Sequence, residues 1–209
     1  IIDTVKVMGG EDWELWIEEL MKRDLLSEGF ITTNYTYIGS EVTWPIYNQG
    51  TIGKAKEDLQ RAAKAISQKS LEKKGNAYLA VMKGLVTQAA SAIPGMSVYL
   101  SLLFRIMKDK NLHEGCVEQA FRLFSEELYS GAEINLDKSG RIRLDDYELL
   151  EDVQDYVSEN WAKFNTDTMD RIADFEGYRR DFMQIYGFDF EDVDYDKDVS
   201  PESEMTLYS

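Results

Sequence analysis

The sequence predicts an α/β fold with parallel strands, and three observations carry the prediction. A run rich in β-branched and aromatic residues, "GFITTNYTYIG" at 29–39, is bounded by glycines as a strand would be. A long helix-forming run follows at about 51–74, and a short apolar run, "NAYLAVMK", comes after it at 76–83. Strand, helix and strand at this spacing form the βαβ unit of a parallel sheet. With the helices that follow, the chain reads as the second half of a doubly wound α/β sheet with extra helices and a small hairpin.

The elements are expected in this order. From Glu11 to Leu26 the apolar Trp13, Trp16, Ile17, Leu20 and Met21 recur at helical spacing, with Glu11 and Asp12 in the first turn, where the helix dipole favours anions. A strand ends near Gly39, Pro45 marks a turn, and the long helix and second strand complete the unit. Pro94 and Gly95 must interrupt the next apolar stretch, so a bend is expected there and a helix from about Ser97. Further helices are expected at 114–129, 145–163 and 167–186, with the hairpin "AEINLDKSGRIRL" between the first two. The chain from Asp189 is acidic, carries Pro201 and reads as a loosely ordered tail.

Charge narrows the function classes. The chain has 39 acidic and 23 basic residues, a formal charge of −16. Such a surface repels a phosphate backbone at long range, so nucleic acid is not an expected partner. No apolar run approaches the ~20 residues of a membrane helix, and the single cysteine forms no internal disulfide. A cytoplasmic protein is expected.

The stretch "PIYNQGTIGKAKEDL" at 45–59 holds the sharpest chemical signal, Tyr47 and Lys56 with Gly50 and Gly53 between them. In one continuous helix, nine steps of ~100° would put the two side chains on opposite faces, ~13 Å apart along the axis. A helix that begins near Thr51, with Tyr47 on the preceding turn, lets them converge. Lys56 also lies at the edge of the apolar stripe formed by Ala55, Leu59, Ala62, Ala63 and Ile66. Two readings follow: Lys56 snorkels to water, or its ammonium sits near the Tyr47 phenol, lowers its pKa and makes it a usable acid. The first belongs to a non-catalytic acidic α/β interaction module, the second to an enzyme.

Three weaker signals are set aside. "NLDKSGRIRLDD" at 135–146 follows part of a calcium-loop pattern, but it begins with Asn135, ends with Asp146 and has flanks that alternate, so a turn at Gly140 is expected and no metal. His113 and Cys116 are read as capping and packing residues, because no third polar group is evident to orient the histidine. The glycine pair in "MGGED" opens a helix, yet its two acids would repel a pyrophosphate.

"YTYIGSEVTWPIYNQGTIGKAKEDL", "MKGLVTQAASAIP" and "HEGCVEQAFRLF" together resemble the NADH-dependent trans-2-enoyl-CoA and enoyl-acyl-carrier-protein reductases of the short-chain dehydrogenase/reductase superfamily. The likeness runs from "VMGGEDW" through "GRIRLDDYELLEDVQ" to "GYRRDFMQIYGFD". It implies a Rossmann-type fold, NADH as cofactor and an enoyl-CoA or enoyl-acyl-carrier-protein substrate. It implies Tyr47 as proton donor, Lys56 on the cofactor ribose, Tyr37 against the substrate, and Leu85, Val86 and Thr87 against the nicotinamide. The family's glycine-rich phosphate loop has no counterpart in the chain. Residues 1–195 are therefore expected to be the carboxyl-terminal part of a single reductase domain, followed by the tail at 196–209 and partnered by an amino-terminal half. Alone the chain is expected to be inactive.

Overall fold

The computed structural model describes residues 1–200. Their sheet has three parallel strands in the order β1 (Ile31–Thr36), β2 (Asn76–Val81), β3 (Arg141–Arg143). Thr36 pairs with Val81, and Val81 with Arg143, so the carboxyl ends of all three strands finish level. Helices cover both sheet faces, because successive side chains of β2 point opposite ways. Leu79 packs with Leu59 and Ala63 of the long helix Thr51–Lys69, whereas Ala80 packs with Ile142, Leu123 and Leu128. The doubly wound arrangement is visible to this extent: the βαβ unit and its two covered faces are present, while the strand order runs in one direction among the described residues.

In chain order the helices are α1 (Ile2–Met8), α2 (Glu11–Lys22), α3 (Trp44–Tyr47), α4 (Thr51–Lys69), α5 (Gln88–Ser91), α6 (Met96–Asp109), α7 (Cys116–Arg122), α8 (Glu151–Trp161), α9 (Met169–Ile172) and α10 (Phe175–Ile185). A π-helical stretch, Leu123–Leu128, extends α7. The bend expected at Pro94 and Gly95 separates α5 from α6. The central helix α6 supplies the core, with Tyr99, Leu100, Leu102, Leu103, Phe104 and Met107 excluded from solvent. Trp13 packs inward and donates its indole N–H to the Thr32 hydroxyl, but Trp16 on the same helix is exposed. No helix among the described residues is long and apolar enough to cross a membrane.

The expected hairpin does not form. Its second arm is β3, which pairs with β2 in parallel, and Leu144 N donates to Val81 O to continue the ladder. The competing term is burial: Ile142 is fully enclosed against Ala80 and Leu123, which a hairpin standing off the sheet would forfeit. The turn at Gly140 does form, with φ of +82°, and Asp137 accepts from the backbone N–H groups of Ser139 and Arg141 and from the Arg141 side chain.

Two expected helices are shorter or divided. The one predicted from 145 begins only at Glu151, because Asp145 is buried and paired with Arg143 of β3, and Glu148 is buried and turned toward distant partners. The one predicted over 167–186 is broken at Ala173, where the chain is extended. There Asp174 N donates to Ser101 O of α6, and the Asp174 carboxylate restarts the helix by accepting from Gly177 N. Beyond Asp189 the chain runs as turns, and the Tyr195 hydroxyl bonds Gly187 O and Phe190 N. The rest of the acidic tail, including Pro201, lies outside the described residues.

Candidate active site

A cavity of about 810 Å³ opens at the carboxyl ends of β1 and β2, the position where open α/β sheets hold ligands. Its wall includes Tyr37, Tyr47, Lys56, Leu85 and Thr87, five of the six residues singled out from the sequence. The sixth, Val86, turns its side chain into the core beside Tyr99 and Met96.

Gly50 and Gly53 explain how Tyr47 and Lys56 meet. Tyr47 closes the short helix α3, and α4 starts afresh at Thr51 with Gly50 as its N-cap. A Cβ on Gly53 would stand 2.3 Å from the carbonyl oxygen of Asn48, so only glycine lets α4 approach the residue after Tyr47 this closely. Lys56 then lies one turn further along α4, its Nζ 4.7 Å from the Tyr47 ring centroid and 5.6 Å from that of Tyr37. The two rings meet edge to face at 4.9 Å. Replacing Gly53 with alanine should separate α3 from α4 and cost about 1–3 kcal/mol, read as a fall in melting temperature.

The electrostatics differ from the expected arrangement. The Lys56 ammonium sits over the faces of two rings, buried and without a hydrogen-bond partner, and burial lowers its pKa from 10.5 to about 8. Burial first, and then the Glu148 carboxylate, push the Tyr47 phenol up to about 12, where a lowering was expected. The Lys56 ammonium lies over the ring face, and burial together with Glu148 outweighs its pull on the phenol proton. The Tyr47 hydroxyl has no protein partner among the described residues.

The sequence reading missed the polar groups behind the two tyrosines. Glu148 is fully buried and accepts from the Tyr37 hydroxyl at 2.8 Å, the Tyr99 hydroxyl at 2.6 Å and Gly84 N at 2.5 Å. Lys83, also buried, donates to Gly84 O at 2.8 Å, and burial lowers it to about 8. Both precede or follow their strands in runs that gave no periodic signal for an inward charge. The glycine pair of "MGG" proves to be a packing device: a Cβ on Gly10 would lie 2.1 Å from the Cβ of Ala62, and Gly10 N donates to Asp58.

Residues 1–129 match the family model described as the trans-2-enoyl-CoA reductase catalytic region. The chain belongs to the trans-2-enoyl-CoA reductase family. Residues 136–199 match a second model, described as an enoyl reductase FAD binding domain. The helices of that segment carry acids in their first turns, Glu151 and Asp152 in α8, Asp170 in α9 and Glu176 in α10. This is a poor setting for a flavin pyrophosphate.

Among curated relatives, the enoyl-[acyl-carrier-protein] reductase [NADH] of Serratia proteamaculans is 50% identical over 202 residues, 97% of this chain and 51% of the relative. The trans-2-enoyl-CoA reductase [NADH] of Ruminiclostridium cellulolyticum is 48% identical over the same shares. The crystal structure of the Clostridium acetobutulicum trans-2-enoyl-CoA reductase in complex with NAD superposes with a TM-score of 0.90 at 45% identity, across 94% of this chain and 51% of that one. The chain thus spans about half the length of the curated relatives it matches.

Proposed function

We propose that this chain is the catalytic and substrate-facing half of an NADH-dependent reductase of trans-2-enoyl thioesters, its carrier either coenzyme A or acyl carrier protein. One observation carries the reading: the Tyr47 hydroxyl is free in a cavity at the strand ends, beside a buried ammonium that lacks a partner. A ribose hydroxyl would satisfy Lys56 Nζ, which fits the nicotinamide nucleotide named for the relatives. Leu85 and Thr87 border the same cavity, and Val86 between them is buried in the core.

When bound, NADH supplies the hydride that reduces the β-carbon. Reduction moves negative charge onto the thioester oxygen, and that oxygen needs a donor preorganised in a dry site. Tyr47 serves as that donor: its neutral phenol hydrogen-bonds the oxygen and releases its proton as the enolate forms. Lys56 holds the ribose and opposes the charge left on the phenolate. Tyr37 lies against the substrate through its ring, since its hydroxyl is committed to Glu148. The "MGGED" turn packs on α4 through Gly10 and sets two acids where a phosphate would bind, so an amino-terminal half supplies the phosphate loop and completes the doubly wound sheet of a short-chain dehydrogenase/reductase.

The test is reconstitution. This chain is combined with an amino-terminal half of the family, and NADH absorbance is followed with a trans-2-enoyl-CoA. Turnover is expected from the pair and not from this chain alone. Turnover by the lone chain would refute the division of labour, and none from an assembled, folded pair would refute the activity. An interaction module, the competing reading, predicts no NADH effect on either sample.

A further inference from the structure

The least expected group in the molecule is Glu148, a carboxyl with no solvent exposure and no salt bridge among the described residues. Its neighbours' hydrogen bonds are arranged to hold a negative charge. The Tyr99 oxygen already accepts from Ser40 Oγ at 3.2 Å and Gln154 Nε2 at 3.4 Å, so its own proton points to Glu148. Gly84 N can only donate, and its bond occupies the second carboxyl oxygen. Tyr37 adds a third donor. A site holding three donors is built for an anion, and burial is the opposing influence that raises the carboxyl pKa.

Position gives the anion its use. Glu148 links Tyr37, which follows β1, to Gly84, which follows β2, directly beneath the cavity. The Tyr37 ring, held by its hydroxyl, stands edge to face against Tyr47. Resting on the function proposed above, we propose that Glu148 is the positioning residue of the reaction: it clasps Tyr37 against Tyr47 and sets a negative charge behind the pair.

The titratable and charged groups around this pair are Lys56 from α4, Tyr37 after β1, Lys83 after β2 and Tyr99 from α6. Lys56 and Lys83 favour phenolate or carboxylate, while the two other phenols are committed to Glu148 as donors. Burial first, and the Glu148 charge second, raise the Tyr47 phenol. A structural carboxylate at the same place would need neither the Tyr37 bond nor proximity to Tyr47.

The experiment installs a ring-fluorinated tyrosine at position 47, whose more acidic phenol ionises where the protein stays folded, and follows its fluorine resonance against pH without substrate or NADH. Glu148→Gln, which removes the charge and keeps the shape, should lower the phenol midpoint by about one unit, a tenfold change in its ionisation constant. Glu148→Asp keeps the charge but withdraws it from Tyr37. Its midpoint should stay within about 0.3 unit of the parent, while kcat/KM of the assembled reductase falls at least about tenfold. An unmoved midpoint in Glu148→Gln, a lowered one in Glu148→Asp, or unchanged turnover in Glu148→Asp each overturns the proposal. If Glu148→Gln does not fold, the two Glu148→Asp readouts decide. The midpoints are independent of catalysis, so failure of the reductase reading leaves a distinct signature.

Discussion

Tyr47→Phe in the assembled reductase should lower kcat/KM by about 10²–10⁴-fold, the usual worth of a positioned proton donor, while the melting temperature hardly moves. The second half of that expectation makes the experiment informative. The Tyr47 hydroxyl bonds no other group of the described chain, so its removal orphans no buried partner. Its ring meanwhile keeps every contact: the edge-to-face packing on Tyr37 and the seat beneath Lys56 Nζ depend on carbon atoms. A phenylalanine therefore tests the proton alone. Substrate affinity should weaken less than turnover, because the oxygen gains its charge only as reduction proceeds. Equal activity in Tyr47→Phe, measured by NADH absorbance with a trans-2-enoyl-CoA, would remove Tyr47 from the chemistry.

How far this site is legible in the amino-acid pattern follows from the range of the interactions involved. The βαβ unit was legible because its signals are local: β-branched runs bounded by glycine, and the Ala55, Leu59, Ala63, Ile66 stripe of α4. Tyr47 and Lys56 were legible by spacing, and the break between α3 and α4 through the glycines. Non-local facts were not legible. Whether "RIRL" would close a hairpin or become the third parallel strand depended on the open edge of β2, which lies about sixty residues away along the chain. Glu148 sits in "DDYELLEDV", where acids every few residues look like the solvated face of a helix. Only the fold, by bringing Tyr37 from 111 residues away, turns it into a buried acceptor. The α1 helix was missed for a related reason: it buries no residue of its own and lies against α4.

The sign of the Tyr47 shift was also out of reach, and the same misjudged quantity leads to the second large effect. The expectation treated Lys56 as a charge acting on a phenol. The structure shows a charge that is itself under strain from desolvation, with no acceptor for any of its protons. Lys56→Met should therefore stabilise the fold and disable the enzyme at once. The unfolded chain holds the Lys56 proton up to about pH 10.5, the folded chain only to about pH 8. Between those values the unfolded state binds more protons, so wild-type stability climbs as pH rises. Below pH 8 the full penalty applies. At 1.36 kcal/mol per unit the gap sets an upper bound near 3 kcal/mol, and the partial exposure of Lys56 reduces it to about 1–3 kcal/mol. The methionine variant should exceed the wild type by that amount at pH 7 in denaturant unfolding, and the difference should close toward pH 10.5. Its kcat/KM should fall by about a hundredfold or more, since neither the ribose nor the developing phenolate retains a cation. NADH should then narrow the stability gap in the assembled protein, because it gives wild-type Lys56 the partner that it lacks and offers the methionine none. A Lys56→Met variant less stable than wild type at pH 7 would mean that the ammonium already has its partner in the free chain, and the case for Lys56 as the ribose ligand would lose its physical basis.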